Sequence, residues 1–477
     1  MLEIVIIYFV LSFIIMCVMV FVRHTLAGYL LYVPFVLLHW YFNYQCFIHE
    51  GTLIGQYLRF DKVGLIFMTV ISILIVPTVI HTALYSINRR SKKRIIAIHN
   101  ASMVGLVASM TGVLISEHLG LLWCFLEATT IVASILIYHD RNSHSLEAAW
   151  KYFFVSSIGL ALAYAGILLL GIAAQETNET GLYITELQKT TPHMSPMWLK
   201  SCFLFAIIGI SVKLGVVPLF TVDIDAKDIA PSPVGAMLSG GLMNVGFVSI
   251  FRFYESFVFT SIKPWMDKIL IIIGIASLIF VVIYLFKIKN FKRLLAYSSV
   301  EHAAIAIIAL SCGHAGYFVA VLHLVFHSLI KSAIFFQIGQ LYRVYLTKNL
   351  DFTGAYFKLN PAGALVLFLG FVSILGIPPS VLFLTEYYTL KSLFISWHWV
   401  VPVGIIVLLV YIFALLSKDF FHILFAPLRS NIPVFEIIKP YESITQYILL
   451  CIVFWVGLHP NIELVEYIKM SVAHLPK

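Results

Sequence analysis

The sequence predicts an all-α polytopic membrane protein, and three observations carry this prediction. The chain has 477 residues, 61% of them hydrophobic and 11% charged, with a mean hydropathy of +0.97. Soluble proteins carry about 25% charged residues. The apolar residues also form runs of about 20, the length that a helix needs to cross a bilayer. No polar segment is long enough for a soluble domain, so we expect one membrane domain embedded in the lipid bilayer.

Segmenting the chain on that length predicts about fourteen transmembrane helices. They lie near residues 3–22, 26–48, 63–87, 97–116, 118–138, 151–173, 198–220, 234–258, 267–286, 299–312, 316–341, 361–388, 398–417 and 443–459. Glu3 is the only charge before the first run, and no small-residue cleavage site follows it. We therefore interpret this run as a retained helix and not as a removable signal peptide.

Basic residues are concentrated in alternate connections between the predicted helices. They cluster at residues 89–94, at residues 287–293, and at Arg343 and Lys348, whereas connections 174–197 and 259–266 carry little positive charge. The positive-inside rule places these clusters in the cytoplasm. We therefore expect an integral protein of a bacterial or archaeal cytoplasmic membrane (the cell inner membrane), with both termini outside.

Two predicted helices contain prolines that should break them. Pro218 follows Gly215 in helix seven, and Pro378 and Pro379 follow Gly376 in helix twelve. Proline removes a backbone donor and clashes with the preceding turn, and such breaks are tolerated at membrane depth only where protein or water surrounds them. Interrupted helices five positions apart indicate an internal repeat and point to an ion site.

This repeat divides the chain into four predicted parts. They are residues 1–96 with helices 1–3, residues 97–258 with helices 4–8 as the first repeat, residues 259–420 with helices 9–13 as the second, and residues 421–477 with helix 14.

The sequence contains no signature of a cofactor, metal or nucleotide site. The six cysteines are scattered singly, and no CxxC, GxGxxG or Walker sequence occurs. We expect a chain without cofactor, metal or catalytic residues, so that any redox chemistry belongs to partner proteins. The net charge of +8 is explained by the basic connections and requires no nucleic acid.

The apolar run at residues 322–336 carries three titratable groups at intervals of four. His323, His327 and Lys331 therefore stack on one helix face. A charge near the bilayer centre costs about 2.5–3.5 kcal/mol on insertion scales, so such groups indicate function. A metal site is the alternative, but lysine is not a usual metal ligand, whereas histidine exchanges protons near neutral pH. We predict a section of a proton path.

Other ionisable residues in apolar surroundings are candidates for the same path, each with a structural alternative. Glu127, in the middle of helix five, is a proton-loading site or the partner of a distant cation. Lys213, five residues before Pro218, exchanges protons or extends to the membrane interface. Glu386 follows the second break and has a functional or an interfacial role.

Glu301 and His302 are placed by the segmentation at the start of helix ten, where a glutamate favours the helix dipole. A structural role is therefore an alternative for them. Together, the titratable groups of these helices suggest a lateral relay of acids and bases linked by water.

Four sequence blocks resemble one known family. They are FLEATT with SLEAAWKYFF, APSPVGAMLSG, KRLLAYSSVEH and LHLVFHSLIKSAIFF, in family order over about residues 97–390. The chain resembles the antiporter-like proton-translocating membrane subunits of complex I, multisubunit Na⁺/H⁺ antiporters and energy-converting hydrogenases. Within this family it is most similar to component F of hydrogenase 4.

The resemblance implies a fold of two inverted five-helix repeats and a role for each candidate. Glu127 and Lys213 match the family's input-side pair, His323, His327 and Lys331 its central positions, and Glu386 its terminal position. The implied function is proton translocation within a redox-driven complex of the group 4 hydrogenase, formate hydrogenlyase or complex I-like type. The implied partners are other antiporter-like membrane subunits and peripheral redox subunits.

The stretch after Pro218 departs from the family pattern. Phe220, Val222 and Lys227 stand where the family has histidine, tryptophan and histidine, and Asn244 stands where many members have lysine. A rewired input would use accessory groups. The candidates are Asp223, Asp225, Lys227, Asn244, Glu301, His302 and, in SLEAAWKYFF, Glu147.

Three other functions stay open at this point. One is a subunit of a cation/proton antiporter, driven by an ion gradient without redox partners. Another is the membrane partner of an inorganic-carbon-accumulating complex with a soluble carbonic-anhydrase-like subunit. The last is a structural subunit whose relay no longer conducts, which the altered stretch after Pro218 would explain.

Overall fold

Helices form nearly all of the regular structure in the computed structural model, which describes residues 1–22, 24–89, 92–175, 181–427 and 435–476. They are α1 (Leu2–Phe21), α2 (Thr25–Leu30), α3 (Tyr32–Ile48), α4 (Lys62–Arg89), α5 (Lys93–Ile115), α6 (Leu119–Ile137), α7 (Ser143–Gln175), α8 (Ile184–Thr190), α9 (Pro196–Leu214), α10 (Thr221–Ile229), α11 (Ser232–Met237), α12 (Met243–Phe257), α13 (Lys263–Leu285), α14 (Phe291–Leu310), α15 (His314–Tyr345), α16 (Tyr356–Leu359), α17 (Pro361–Ile374), α18 (Val381–Ser396), α19 (Val400–Phe425), α20 (Ile444–Leu458) and α21 (Ile462–Ser471). A π-helical turn (Leu238–Leu242) joins α11 to α12. A short antiparallel hairpin of β1 (Leu53–Ile54) and β2 (Leu58–Arg59) precedes α4.

Within the described residues, 12 helices are long and apolar enough to cross a membrane. This confirms the predicted all-α polytopic membrane class. The second predicted segment is divided into α2 and α3, and the twelfth into α17 and α18. The count of fourteen, the inverted repeats and the four-part division remain predictions. So does the placement of both termini outside.

The structure describes only part of the connections whose basic residues predict this topology. Residues 90 and 91 of the basic cluster at 89–94 lie outside the described residues, as do residues 176–180 of the 174–197 connection. Arg343 and Lys348 lie near the end of α15, as expected for a basic connection, and both are paired with carboxylates.

Both predicted helix breaks are present. Helix α9 ends at Leu214 and α10 begins at Thr221, while α17 ends at Ile374 and α18 begins at Val381. Gly215 (φ +81°) and Gly376 (φ +59°) follow the two helix ends in left-handed conformations that favour glycine. The proline residues then keep the chain from continuing the helix. Backbone groups at each break find partners, as in the hydrogen bond that the backbone N–H of Val217 donates to the Oγ of Ser277 (3.0 Å).

The start of helix ten differs from the prediction. Helix α14 begins at Phe291, eight residues before the predicted start, because Asn290 caps it by accepting hydrogen bonds from the backbone N–H of Lys292 (2.9 Å) and Arg293 (3.4 Å). Glu301 and His302 therefore lie in the middle of the helix and are buried. The first-turn interpretation of Glu301, with its helix-dipole role, was wrong.

The helices that carry the central candidates are among the most buried of the described chain. In the most apolar 18 residues of α14 and of α15, 94% of the residues are buried, against 22% in α1 and in α19. The ladder at residues 323–331 thus lies at the centre of the bundle, with the lipid-facing helices around it.

Candidate functional site

Three histidines form a cluster at the centre of the bundle. His323 and His327 on α15 are fully buried, and so is His302 on α14. The Nδ1 of His302 lies 3.1 Å from the Nε2 of His323, and the ring centroids of His302 and His327 are 5.0 Å apart. The cluster joins two helices, so the predicted ladder is part of a wider group that includes His302.

The histidine cluster reaches the second helix break through a hydroxyl. The Nδ1 of His323 lies 2.8 Å from the Oγ1 of Thr385 on α18. The next residue, Glu386, is half-buried, and its carboxylate packs against Gly376, where an added Cβ would lie 2.4 Å from its Oε2. Thr385, which the sequence reasoning missed, therefore bonds the histidines to α18 at the position before the terminal acid.

Lys331 continues the ladder on the other side of the histidines. Its side chain is fully buried, and its ammonium donates a hydrogen bond to the backbone oxygen of Leu295 (2.6 Å). The Glu301 and Asp223 carboxylates and the Lys227 ammonium are its electrostatic neighbours. Lys331 thus lies where the groups of α10, α14 and α15 meet.

The altered stretch after Pro218 supplies two of these groups. Asp223 and Lys227 are buried one turn apart on α10 and form an ion pair of 2.5 Å. An added Cβ at Gly215 would lie 2.9 Å from the Oδ2 of Asp223, so this carboxylate packs directly against the first helix break. Lys227, which stands where the family has a histidine, therefore belongs with Asp223 to the line of buried titratable groups.

Both members of the input-side pair bond to side chains of α7. The Lys213 ammonium is buried and donates to the hydroxyl of Tyr152 on α7 (3.2 Å). Glu127 is half-buried and accepts a hydrogen bond of 2.5 Å from Ser157, also on α7. Glu127 and Asp223 are the carboxylates that interact electrostatically with Lys213. Within the described ranges, Glu127 and Lys213 make no direct ion pair.

Asp225 and Glu147 do not join this line. Asp225 pairs with Arg293 at the first turn of α14, and Arg293 also binds Asp228 (3.0 Å). These contacts fix the end of α10 and do not reach the interior. Glu147 is exposed and pairs with Lys151 on the surface of α7 (2.5 Å).

Asn244 lies beside the ladder. It is fully buried on α12, and its side-chain amide donates to the backbone oxygen of Gly240 (2.9 Å) and to the Oγ of Ser328 (2.8 Å), the residue after His327. Asn244 therefore ties α12 to α15 at the level of the histidines.

Several polar atoms of the line retain unused hydrogen-bonding capacity. Among the described residues, both ring nitrogens of His327, the Nε2 of His302 and the Oε2 of Glu301 have no partner. Neutral imidazole carries one donor and one acceptor nitrogen and exchanges protons readily. These atoms can therefore take part in further hydrogen bonds within the line.

Two broken helices beside a buried line of acids, bases and histidines define a class, the antiporter-like membrane subunits. The comparison with known families agrees. The chain belongs to the family described as "NADH:quinone oxidoreductase/Mrp antiporter, TM", whose model matches residues 116–413.

Individual relatives confirm the expected subgroup. The chain is 34% identical over 296 residues to a hydrogenase-4 component F homolog of Methylacidiphilum infernorum, which covers 61% of this chain and 62% of the relative. It is 26% identical over 350 residues to hydrogenase-4 component B of Escherichia coli, over 71% of this chain and 51% of that protein. The chain thus spans less than two thirds of the length of either relative.

A solved structure confirms the fold. A chain in the structure of the membrane-bound sulfane sulfur reductase, an archaeal respiratory membrane complex, superposes with a TM-score of 0.87. The match covers 99% of this chain and 98% of that chain at 20% identity. At this identity the likeness establishes the architecture, in which such a chain is one membrane subunit among others.

Proposed function

We propose that this chain is the proton-translocating membrane subunit of a redox-driven complex, of the group 4 hydrogenase, formate hydrogenlyase or complex I-like type. Protons move laterally along the buried line, and electron transfer belongs to peripheral subunits. The similarity to a hydrogenase-4 component F homolog supports a hydrogenase-type host. Other antiporter-like membrane subunits flank the chain in this complex.

The observation that carries the proposal is the succession of titratable groups between α6 and α18, of which all but Glu127 and Glu386 are buried. Its members are Glu127, Lys213, Asp223, Lys227, Lys331, Glu301, His327, His302, His323 and Glu386. Each charge costs about 2.5–3.5 kcal/mol at the bilayer centre. A purely structural subunit gains nothing from so many, whereas a proton path requires them.

The first half of the path works by exchanging charge partners. Glu127 and Asp223 both stabilise the Lys213 ammonium electrostatically. A proton that binds Glu127 removes one of these two carboxylate charges, so Lys213 releases its own proton more readily in the direction of Asp223. The Asp223–Lys227 pair then changes the field at Lys331, which neighbours both.

The second half conducts through neutral groups. Lys331 and Glu301 exchange a proton with the histidine cluster, and the 3.1 Å contact between His302 and His323 carries it across two helices. His323 lies 2.8 Å from the hydroxyl of Thr385, and water carries the proton from there to Glu386, the next residue, at the second break. Moving one charge against 100 mV costs about 2.3 kcal/mol, which the redox partners supply.

Two substitutions at the input side test the relay. Lys213→Ala and Glu127→Gln are expected to lower proton translocation by about tenfold or more, with the complex still assembled. Redox-driven acidification of sealed vesicles that contain the complex is the measurement. Glu147→Gln is the matched control, because Glu147 is an exposed glutamate in the same region of the chain. Unchanged proton translocation in both variants would show that Glu127 and Lys213 are not part of a relay.

A cation/proton antiporter subunit is the second candidate, because the family description names the Mrp antiporter. Sodium-dependent proton flux in vesicles without an electron donor would favour it. Co-purification separates the candidates further. A nickel–iron large subunit and ferredoxin-like proteins support the hydrogenase-type host, whereas a soluble zinc subunit of the carbonic-anhydrase type supports an inorganic-carbon complex.

A further inference from the structure

A groove of about 550 Å³ opens on the outer surface of the bundle between α5, α6 and α7. Its walls are mostly apolar and aromatic, with Ile98, Ile135, Leu146, Trp150 and Phe153 among them. None of the residues of the proton line contributes to these walls. The groove is therefore a separate feature, and its role does not depend on proton movement.

The groove lies within one leaflet of the membrane. Ile98 is six residues into α5, Ile135 is two residues from the end of α6, and Phe153 is eleven residues into α7. At 1.5 Å per residue, all these positions lie within about 15 Å of the helix ends. This depth is half of a hydrocarbon core of about 30 Å.

Arg141 forms one end of the groove, here called its mouth, and Arg94 lies one helical turn from the lining residue Ile98. Arg141 lines the groove, is exposed and stacks over the ring of Tyr138 at 4.5 Å. Arg94 is exposed one helical turn before Ile98, on the same face of α5. Neither forms an ion pair within the described residues, whereas the nearby Lys151 is paired with Glu147. The mouth is therefore positively charged and complementary to an anion.

A basic residue at the end of an apolar groove favours a lipid over a transmembrane helix as the occupant, because a lipid combines an anionic head group with an apolar chain. A flexible acyl chain is thinner than a helix and follows the apolar wall.

We propose that this groove is a binding site for one anionic phospholipid. An acyl chain lies along Ile98, Ile135 and Phe153, and the phosphate is bound by Arg141 and Arg94. Trp150 borders the groove, half exposed, as tryptophan does at membrane interfaces. The lipid fills the surface between α5, α6 and α7 next to the helix that carries Glu127.

Lipid titration of the purified complex, followed by native mass spectrometry, tests this site. Dioleoyl phosphatidylglycerol is expected to bind more tightly than dioleoyl phosphatidylcholine. Arg141→Gln and Arg94→Gln should each weaken phosphatidylglycerol binding about fivefold, since a basic residue near an anionic surface contributes that factor. Phosphatidylcholine binding should not change. Lys151→Gln is the control, because it removes a paired charge from the same surface.

Three results would overturn the proposal. They are equal binding of the two lipids by the unaltered complex, unchanged phosphatidylglycerol binding in both arginine variants, and equal competition by inorganic phosphate, which has no acyl chain. Both arginines are exposed, so their variants are expected to fold, and an unchanged melting temperature in detergent verifies this. Crosslinking from Leu146→Cys to a protein in place of a lipid would assign the groove to a neighbouring subunit.

Discussion

The two halves of the line of titratable groups differ in the partners of their polar side chains inside the membrane. In the first half, charges are paired or hydrogen-bonded, as in the Asp223–Lys227 ion pair and the Lys213–Tyr152 contact. In the second half, the histidines contact one another, and Glu301 has no ion pair within 4 Å among the described residues. The first half therefore holds its charges through direct partners, whereas in the proposed relay the second half passes protons between histidines. Lys331 lies between them.

This comparison makes Lys331 the most sensitive position. Lys331→Ala is expected to lower proton translocation by well over tenfold, because it removes a cation whose electrostatic neighbours are Asp223 of the first half and Glu301 of the second. Redox-driven proton uptake by vesicles measures the effect, and blue native electrophoresis verifies assembly. Lys331→Arg restores the charge without an exchangeable proton near neutral pH. If the arginine variant pumps normally, Lys331 acts as a fixed charge and not as a proton carrier.

The Asp223–Lys227 pair should dominate the stability of the first half. Breaking a buried pair by removing one partner costs about 3–5 kcal/mol, because the other charge is left uncompensated. We therefore expect Asp223→Asn and Lys227→Gln each to lower the melting temperature in detergent. The double variant should recover most of the loss.

Glu301→Gln is the matched test in the second half. Because Glu301 has no direct cationic partner, its variant should lower the melting temperature less than Asp223→Asn. If Glu301→Gln and Asp223→Asn lower the melting temperature equally, the two halves do not differ in how their charges are paired.

The histidine contact should matter for transport and little for stability. His302→Gln breaks the 3.1 Å contact with His323 and keeps a polar side chain of similar size. We expect proton translocation to fall about fivefold. If His302 and His323 act in one path, the double variant should be no slower than the slower single variant. If the loss of proton translocation in the double variant equals the product of the two single-variant losses, the two residues serve separate paths.

Local signals in the sequence were sufficient for the helix breaks and the ladder. Proline after glycine breaks a helix whatever its surroundings, and the spacing of His323, His327 and Lys331 sets their common face. The contacts of Tyr152 and Thr385 depend on how distant helices pack, and the sequence carries no signal of that packing beyond their position in apolar runs.

Helix ten shows why the remaining error arose. Hydropathy placed Lys292 and Arg293 outside the helix, but both lie in its first turn. Lys292 donates to the backbone oxygen of Ala230 (2.7 Å), and Arg293 binds acids of α10. Contacts with residues distant in sequence stabilise these two charges inside the helix. Hydropathy averaged over a short stretch of sequence contains no information about such contacts.

The smallest effect is expected at Glu147, which the sequence placed among the accessory candidates. Its carboxylate is exposed and paired with Lys151, and exposed pairs one helical turn apart contribute little. Glu147→Gln should therefore leave proton translocation within about twofold of the unaltered complex, in the same vesicle measurement as Glu127→Gln. The two variants remove the same group from neighbouring helices, one exposed and one bonded to Ser157 beside Lys213. A large loss at Glu147 would mean that protons enter along the outer face of α7, and the input of the line would then begin at the surface and not at Glu127.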